Sequence, residues 1–423
     1  MNAERFSVNL LAVLACGTII GAMIRLPPVM SANDGSRWNT VWSLNAGKGY
    51  VIDEAPYETC DKVIRGGRLY SSKPALMPTV VAGLAWLIKQ AVGMSLPDYG
   101  DFVVRAILIF INVLPFGAMI VLYGRLLERL GHGFPTRMFC VGVAAFGTYL
   151  TSYSVTLNNH TQAAWAAFFA LYCLIRIEYE GQTQRRYFFL GGLSAAWAVA
   201  NEMPAALFAA AVLGILLRSH WRRALLYFCP PCAAMGAAFL YTTYLATGSL
   251  IPYTFNPDPS LGIYPGSLWI NTRGIDALHE PKLVYVFHML LGHHGIFSLT
   301  PVFAFSLYGA FLKSRLRRIN QIGLALTLYL FVSYAFRTAN YGGGCLGIRW
   351  LFWLIPFWLI SLAPAVEKHI DSRLFRLFAY AALLVSLVSV GFGLSALGVY
   401  GFVGPWGFSW IHLIFRWMNW VNY

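Results

Sequence analysis

The sequence predicts an all-α integral membrane protein, and its composition and its apolar runs carry that prediction. Of the 423 residues, 58% are hydrophobic and only 11% are charged, whereas soluble domains carry about 25% charged residues. Apolar runs of about 18 residues or more recur from end to end, as transmembrane helices require. These runs lack the alternation over about ten residues that marks an outer-membrane β-barrel. We therefore expect one polytopic membrane domain over residues 1–423.

The chain begins with "MNAERFSVNLLAVLACGTIIGAMI", which resembles a signal anchor. Its apolar stretch is longer than the core of a cleaved signal, and no small-x-small cleavage site is convincing. We therefore interpret residues 7–29 as the first membrane span, with the N-terminus inside the cell.

The net charge of +14 indicates membrane topology rather than nucleic-acid binding. No zinc-type or RNA-type motif accompanies the charge, so we expect no nucleic-acid partner. Lys and Arg instead cluster between the apolar runs, as they do in the cytoplasmic loops of membrane proteins. The clusters that we assign to the cytoplasm are 124–137, 176–186, 218–223, 313–318 and 367–376.

With those clusters inside, about eleven transmembrane helices alternate across the bilayer. They are predicted at 7–29, 103–124, 138–156, 161–178, 187–201, 203–217, 224–246, 295–312, 319–336, 350–365 and 375–400. Two of them are short, and we interpret them as a broken or tilted pair around Asn201 and Glu202.

Two further segments are predicted to lie on the outer surface of the membrane. Residues 73–93 are apolar enough to span, but a span there would turn every basic cluster outward. We interpret this segment as an amphipathic helix on the outer surface. Residues 401–423 are rich in Trp and Tyr, which is typical of an interfacial segment.

This topology gathers the unusual polar residues on the outer side. The first outer loop, 30–102, follows the first span and contains several charged residues, and a second long outer loop covers 247–294. Polar groups near the hydrocarbon are costly and usually mark a site. The candidates on this side are Asp34, Arg37, Tyr70, Lys73, Asn159, His160, Glu202, His293, His294 and Arg349.

Structural interpretations of these residues stay open. Asp34 suits a solvated helix end, and Lys73 suits a side chain that reaches to the membrane surface. Asn159 and His160 suit the start of a helix capped by an Asn. Glu202 has no basic neighbour in the sequence and needs a partner.

Two further pairs of outer residues raise metal and disulfide questions. His293 and His294 are adjacent, and adjacent side chains diverge on a helix, which argues against a shared metal ion. Cys60 and Cys345 both fall on the outer side, which leaves a disulfide between them open.

Several motifs resemble those of a known enzyme family. The segment "YSSKPAL", from Tyr70 to Leu76, is similar to the Y-x-x-K-P-P-L pattern of the membrane-embedded glycosyltransferases of the C-type (GT-C) superfamily. "HGIFSLTPVF" and "GGGCLGIRWLFWLIP" also resemble segments of bacterial members. The protein O-mannosyltransferase-like and aminoarabinose-transferase-like branches are the most similar in layout. In this family the first outer loop forms two helices that lie on the membrane.

The resemblance implies an inverting transferase that uses a sugar on a polyprenyl phosphate. The reaction takes place at the outer (periplasmic) face of a bacterial-type cytoplasmic membrane. Asp34 is implied as the general base, a task that suits a positioned carboxylate. Lys73 and Arg349 are implied as partners of the donor phosphate, with Tyr70 from the same motif beside them. Arg37 either orients Asp34 or helps to hold the phosphate.

The chain departs from the family pattern at two places. Related transferases often have an acidic residue before the Lys-Pro, where it assists metal binding. Here that residue is Ser72, so no metal ligand is carried over, no cofactor is assigned and a divalent metal stays open. The second acidic residue near the third or fourth span is also replaced, by Asn158, Asn159 and His160. The substrate-pocket candidates are Asn159, His160, Glu202, His293 and His294.

The acceptor, which is a glycan, a lipid or a protein, and the sugar are not determined. The alternative function is a transporter or flippase of a lipid-linked sugar. Against it, the polar residues lie on one face and the chain has no internal repeat of the kind that many carriers contain.

Overall fold

A computed structural model describes residues 3–253, 280–338, 340–396 and 403–421. Most of these residues are α-helical, as the sequence predicts. Within the described ranges, six helices are long and apolar enough to cross a membrane. They are 3–25, 100–129, 203–247, 317–337, 349–369 and 373–393. The predicted count of about eleven spans is not confirmed.

The helices follow one another along the chain with short connections. Those of the first half are α1 Ala3–Arg25, α2 Ala32–Asn45, α3 Leu76–Val92, α4 Gly100–Leu108, α5 Leu114–Arg129, α6 Phe134–Phe146, α7 Tyr149–Tyr153, α8 Asn159–Glu178 and α9 Arg185–Asn201. Those of the second half are α10 Ala206–Arg223, α11 Cys229–Thr247, α12 Lys282–Leu290, α13 Ile296–Leu299, α14 Phe303–Phe311, α15 Arg317–Arg337, α16 Ile355–His369, α17 Arg373–Gly393 and α18 Trp410–Trp417.

Some predicted spans are interrupted for identifiable reasons. The expected span at 295–312 is divided into α13 and α14, because the residue before a proline avoids the helical conformation. Thr300, which precedes Pro301, has φ −133° and ψ 65°. The long helix at 203–247 bends at His220, whose φ of −143° is not helical. At 1.5 Å per residue its 45 residues would extend about 68 Å, roughly twice the hydrocarbon core of a bilayer.

The first outer loop contains a β-hairpin that the sequence analysis did not predict. Strands β1 Lys62–Arg65 and β2 Arg68–Ser71 pair antiparallel, with Lys62 opposite Ser71. Gly66 and Gly67 connect them with φ values of 54° and 73°. Two positive φ values define the tight turn that glycine pairs favour between antiparallel strands. The Gly-Gly pair between "KVIR" and "RLYS" was therefore a readable signal.

The two helices expected in this loop are present as α2 and α3, which pack against each other. α3 buries Leu76 and Val81 on one side and exposes Trp86 and Leu87 on the other. Its exposed side is thus mainly apolar rather than polar. A helix that is apolar on both sides suits contact with a membrane on its outer side.

Other predicted segments are described only in part. Within the second long outer loop, 254–279 lies outside the described residues. The aromatic C-terminal segment forms α18, which buries Ile411 and exposes Trp417. Trp406, just before α18, is 3% exposed and lies inside the protein rather than at its surface.

Candidate functional site

Three cations meet at one end of the helical bundle, around a single acidic residue of the first outer loop. Lys73, just after β2, forms an ion pair with Asp61, with 2.7 Å between Nζ and Oδ2. Arg37 lies on α2, and Arg349 begins the tight helical turn that leads into α16. The charge of Asp61 acts on all three cations. The structure therefore brings together three residues that the sequence analysis selected from separate segments.

The hairpin explains why Asp61 and Lys73 lie side by side. Asp61 directly precedes β1, and Ser72 directly follows β2, so the register places them opposite each other. The Ser72 backbone N–H donates to the Asp61 carbonyl at 3.1 Å. Ser36 of α2 donates to the same carbonyl at 2.5 Å and ties the hairpin to the helix.

Arg37 is 3% exposed and its guanidinium is directed away from Asp34. It donates to the Asn33 carbonyl at 2.8 Å and to Asn159 Oδ1 at 2.5 Å. The expectation that Arg37 orients Asp34 directly is not met by these contacts, because its donors reach the start of α8 instead. Arg37 thus connects the first outer loop to α8.

Asn159, His160 and Glu202 form a buried hydrogen-bonded group beside the cations. Glu202 Oε1 accepts from Asn159 Nδ2 at 2.6 Å and contacts His160 Nδ1. His160 Nε2 lies 3.1 Å from Arg349 Nη1. A guanidinium only donates, so Nε2 accepts, and the ring proton lies on Nδ1 facing Glu202. This assigns the tautomer of His160 and gives Glu202 the partners that the sequence did not reveal.

Arg349 is held on several sides. Its Nε and Nη2 donate to the Gly342 carbonyl at 3.2 and 2.8 Å. Its guanidinium carbon lies 5.2 Å from the centre of the Trp406 ring, within cation–π range. Of the five N–H donors of an arginine, three have partners among the described residues. The remaining two are available to a ligand.

Asp34 has a different environment from the other acids. It is 0% exposed and occupies the first turn of α2, where it forms a capping box with Ser31. Its carboxylate accepts hydrogen bonds from Met30 N, Ser31 N, Ser31 Oγ, Gly35 N and Thr156 Oγ1. A carboxylate has about four lone-pair sites. The acceptor capacity of Asp34 is therefore fully used by the protein.

Thr156 links Asp34 to the cations. Its Oγ1 donates to Asp34 Oδ2 at 2.7 Å and accepts from Trp406 Nε1 at 3.1 Å. Since Trp406 also supports Arg349, a continuous path joins Asp34 to the cation group. Neither Thr156 nor Trp406 was selected from the sequence, because nothing in the local pattern distinguishes them from other core residues.

Burial and charge shift the pKa values of this group in opposite directions. Burial raises the pKa of Asp34, although its hydrogen bonds oppose the effect. Burial alone would also raise the pKa of Asp61, but Lys73, with Arg349 and Arg37, holds it below the usual value. Burial lowers the pKa of Lys73, against the effect of Asp61, and lowers that of Arg37 to about 10. Three crowded cations around Asp61 favour the entry of an anion.

Three of the predicted site residues lie beside the cations rather than among them. Tyr70 lies on β2 opposite Val63, and no hydrogen bond from its hydroxyl to the cations is present in the described part of the chain. His293 and His294 pack around Tyr341, with ring centroids 4.8 and 4.9 Å away. Tyr341 directly precedes Gly342, so the histidines support the loop that holds Arg349.

The histidines belong to a larger buried cluster that also contains His288 and His412. Burial lowers the pKa of His294 to about 3, so this ring is neutral near pH 7. In the ranges that the structure describes, no group of three or more His, Cys, Asp or Glu side chains is arranged to hold a metal ion.

The structure does not join Cys60 and Cys345 by a disulfide bond. Cys345 is buried, and its thiol contacts the carbonyls of Tyr341 and Gly347 at 3.7 Å. Cys345 is thus part of the packing of the glycine-rich loop behind Arg349.

A small cavity lies beside Lys73 on the side away from Arg37. Residues 71–75 form one wall, and Thr243 and Thr247 of α11 form the other, with Tyr253 at the edge. The cavity gives the Lys73 region an opening between the first outer loop and a membrane-length helix.

Comparison with known proteins gives no match: no family model and no curated protein is significantly similar to this chain. The resemblance described above therefore remains a prediction from motifs.

Proposed function

We propose that this protein is an inverting glycosyltransferase. It moves a sugar from a polyprenyl-phosphate-linked donor to an acceptor at the outer face of the cytoplasmic membrane. In this proposal the N-terminus lies inside and about eleven spans alternate across the bilayer. The observation that carries the proposal is the group of three buried cations around Asp61, at one end of apolar helices of membrane length.

The donor phosphate is expected to bind between Lys73 and Arg349. The leaving group of the transfer is a polyprenyl phosphate, whose growing negative charge needs fixed positive groups. Two N–H donors of Arg349 remain for it, and Arg349 is pre-oriented by Gly342 and Trp406. A guanidinium binds phosphate through two parallel hydrogen bonds, which a lysine does not reproduce.

The lipid tail of the donor requires an apolar surface next to Lys73. α3 begins three residues after Lys73 and exposes Val80, Trp86 and Leu87. A tail that follows this side of α3 keeps the phosphate within reach of Lys73. Head group and tail are then bound by one continuous segment.

Asp34 is our candidate for the general base, with one structural requirement. Its carboxylate is fully hydrogen-bonded, so an acceptor must replace an existing donor. Thr156 is the donor from outside the local turn, and an acceptor hydroxyl that displaced it would reach Oδ2. Asp61 is the competing carboxylate because it is partly exposed and lies at the cations. It also supplies an acid beside Lys73, where related enzymes have one in sequence.

The remaining buried group, Asn159, His160 and Glu202, is proposed to position Arg349 and to line the acceptor side. Its hydrogen bonds run from Glu202 through His160 to Arg349. The acceptor is a glycan, a lipid or a protein, and the proposal names none of them.

The experiment that tests the proposal uses purified protein in vesicles, a polyprenyl-phosphate sugar and crude acceptor glycans. Released polyprenyl phosphate, together with a sugar-modified acceptor, supports the enzyme. Movement of the intact lipid-linked sugar across the bilayer without release supports the alternative transporter. Asp34→Asn should abolish transfer while the protein remains in the membrane, with Asp61→Asn as the matched variant. Near-normal transfer by Asp34→Asn together with loss in Asp61→Asn would move the base to Asp61.

Topology is tested separately with a cysteine label. A cysteine placed within 313–318 should react only after the membrane is permeabilised. Labelling from outside in intact cells would reverse the proposed orientation.

A further inference from the structure

A second polar cavity lies at the opposite end of the helix that begins at Arg349. It has a volume of about 580 Å³ and is bounded by the turn after α5, the α14–α15 connection and the end of α16. The helix 349–369 has 21 residues, which places this cavity about 30 Å from Arg349, close to the thickness of a hydrocarbon core. The cavity therefore lies at the other membrane surface if the helix crosses the bilayer.

The walls of this cavity carry an excess of positive charge. Lys313, Arg315 and Lys368 line it, and Glu367 is its acidic residue. Within the described ranges, none of these three cations forms an ion pair. Arg315 donates to a backbone carbonyl, and Lys368 Nζ lies 3.1 Å from a tyrosine hydroxyl. Their charges are thus not neutralised by the protein.

Glu367 does not compensate these cations because it is engaged by the opposite wall. Its Oε2 lies 3.2 Å from His132 Nδ1 and accepts from the Gly133 N–H at 3.1 Å. These contacts hold the carboxylate against the turn after α5. An anion that entered the cavity would therefore meet the cations without displacing Glu367.

A buried amide provides an independent sign of a ligand. Asn320 lines the cavity and is 1% exposed. Its Nδ2 donates to Ser314 Oγ at 3.4 Å, but its Oδ1 has no hydrogen-bond partner. Buried polar atoms are nearly always paired, and an unpaired one is costly. Asn320 Oδ1 therefore needs a hydrogen-bond donor from outside the protein.

Apolar residues complete the lining. Phe311 and Leu312 lie on one side and Ile360 and Pro364 on the other. Phe311 is 67% exposed at the end of α14. A ligand with a charged head and hydrocarbon chains satisfies all three parts of this cavity, whereas a small soluble anion leaves the apolar part without a partner.

We propose that this cavity binds the head group of an anionic glycerophospholipid with a free hydroxyl, such as phosphatidylglycerol, from the leaflet opposite the transfer site. The phosphate contacts Lys313 and Lys368, and the head-group hydroxyl donates to Asn320 Oδ1. The acyl chains leave along Phe311 and Ile360. This site is independent of the proposed glycosyl transfer and requires none of its residues.

The test measures lipid binding to the purified full-length protein by native mass spectrometry. Phosphatidylglycerol is compared with zwitterionic phosphatidylethanolamine and with phosphatidic acid, which lacks the hydroxyl. The double variant Lys313→Gln with Lys368→Gln should bind phosphatidylglycerol about tenfold more weakly, since each basic residue near a membrane contributes about fivefold. The matched control is Arg185→Gln with Arg222→Gln, which removes the same charge from the same predicted face outside the cavity. This control should bind as the unmodified protein does.

Asn320→Leu separates recognition of the hydroxyl from recognition of the phosphate. It should remove the preference for phosphatidylglycerol over phosphatidic acid while both still bind better than phosphatidylethanolamine. Equal losses in the two double variants would reduce the effect to general surface charge and overturn the proposal. Displacement of phosphatidylglycerol by millimolar inorganic phosphate would assign the site to a free anion instead.

Discussion

The two ends of the helix 349–369 both carry basic residues, but the residues are held in different ways. At the site end, Arg37 is 3% exposed and Arg349 is fixed by Gly342, His160 and Trp406. At the other end, Lys368 and Arg373 are exposed. Desolvated cations with fixed partners recognise geometry, whereas solvated cations mainly respond to the electrostatic potential of the membrane. The same residue types thus serve two purposes that burial distinguishes.

Replacing an arginine by lysine at each end tests this difference most strongly. Arg349→Lys keeps the charge but loses the fork that contacts Gly342 and His160. We expect a fall in transfer of about a hundredfold or more, the size seen when one charge-stabilising donor is removed from an active site. Arg373→Lys, at the exposed end, should leave transfer unchanged. The measurement is the turnover of lipid-linked sugar, and equal effects at both ends would contradict the distinction.

Lys73→Gln tests whether an enclosed cation contributes to donor binding. A hydrogen bond to a charged group contributes about 1.5–3 kcal/mol, so the KM for the donor should rise at least about tenfold. Lys89→Gln, an exposed lysine at the end of α3, is the control and should change the KM little. An unchanged dependence of rate on donor concentration in Lys73→Gln would argue against a phosphate role.

The two carboxylates of the site should give opposite pH signatures in thermal unfolding. The pKa of Asp61 is lowered in the folded protein, so its stabilisation is complete above the ordinary Asp value of about 3.9 and is lost as the pH falls below it. The stability difference between the unmodified protein and Asp61→Asn should therefore shrink in that range. A difference independent of pH would show that the charge of Asp61 is not involved.

For Asp34 the sign is reversed. Burial raises its pKa, so the folded state binds the proton more tightly than the unfolded state does. Stability should fall as the pH rises from about 3.9 towards the raised value. The difference between the unmodified protein and Asp34→Asn should therefore grow at low pH. If Asp34 is the base, transfer should increase over the same pH range in which stability falls.

The smallest expected effect concerns the hairpin that places Asp61 beside Lys73. Gly67 has φ 73°, which an alanine adopts at a cost of about 1 kcal/mol. Gly67→Ala should lower the free energy of unfolding by about that amount and weaken transfer slightly. Gly83→Ala, in the middle of α3 with open space around it, should be neutral or stabilising by about 0.5–1 kcal/mol. Equal stability of the two variants would exclude a strained turn.

The local chemistry of the sequence was sufficient to predict the helical membrane class and most residues of the site. Apolar runs of membrane length predict helices wherever a prolonged pattern exists, and the structure has six of them among its described residues. Local patterns did not predict the breaks at Thr300 and His220, because these depend on how neighbouring helices pack. The Gly66–Gly67 pair was readable but was passed over in an otherwise helical chain.

The sequence by itself determined the residue types of the site: Lys73 in its Lys-Pro segment, Arg349 after a glycine-rich loop, and Asp34 after the first span. Only the tertiary structure determined their partners. Asp61 joins Lys73 through strand register, Glu202 reaches His160 across 42 positions, and Trp406 meets Thr156 across 250. Such contacts carry no local signal, because the burial that gives a charged group its partner is decided by segments far away along the chain.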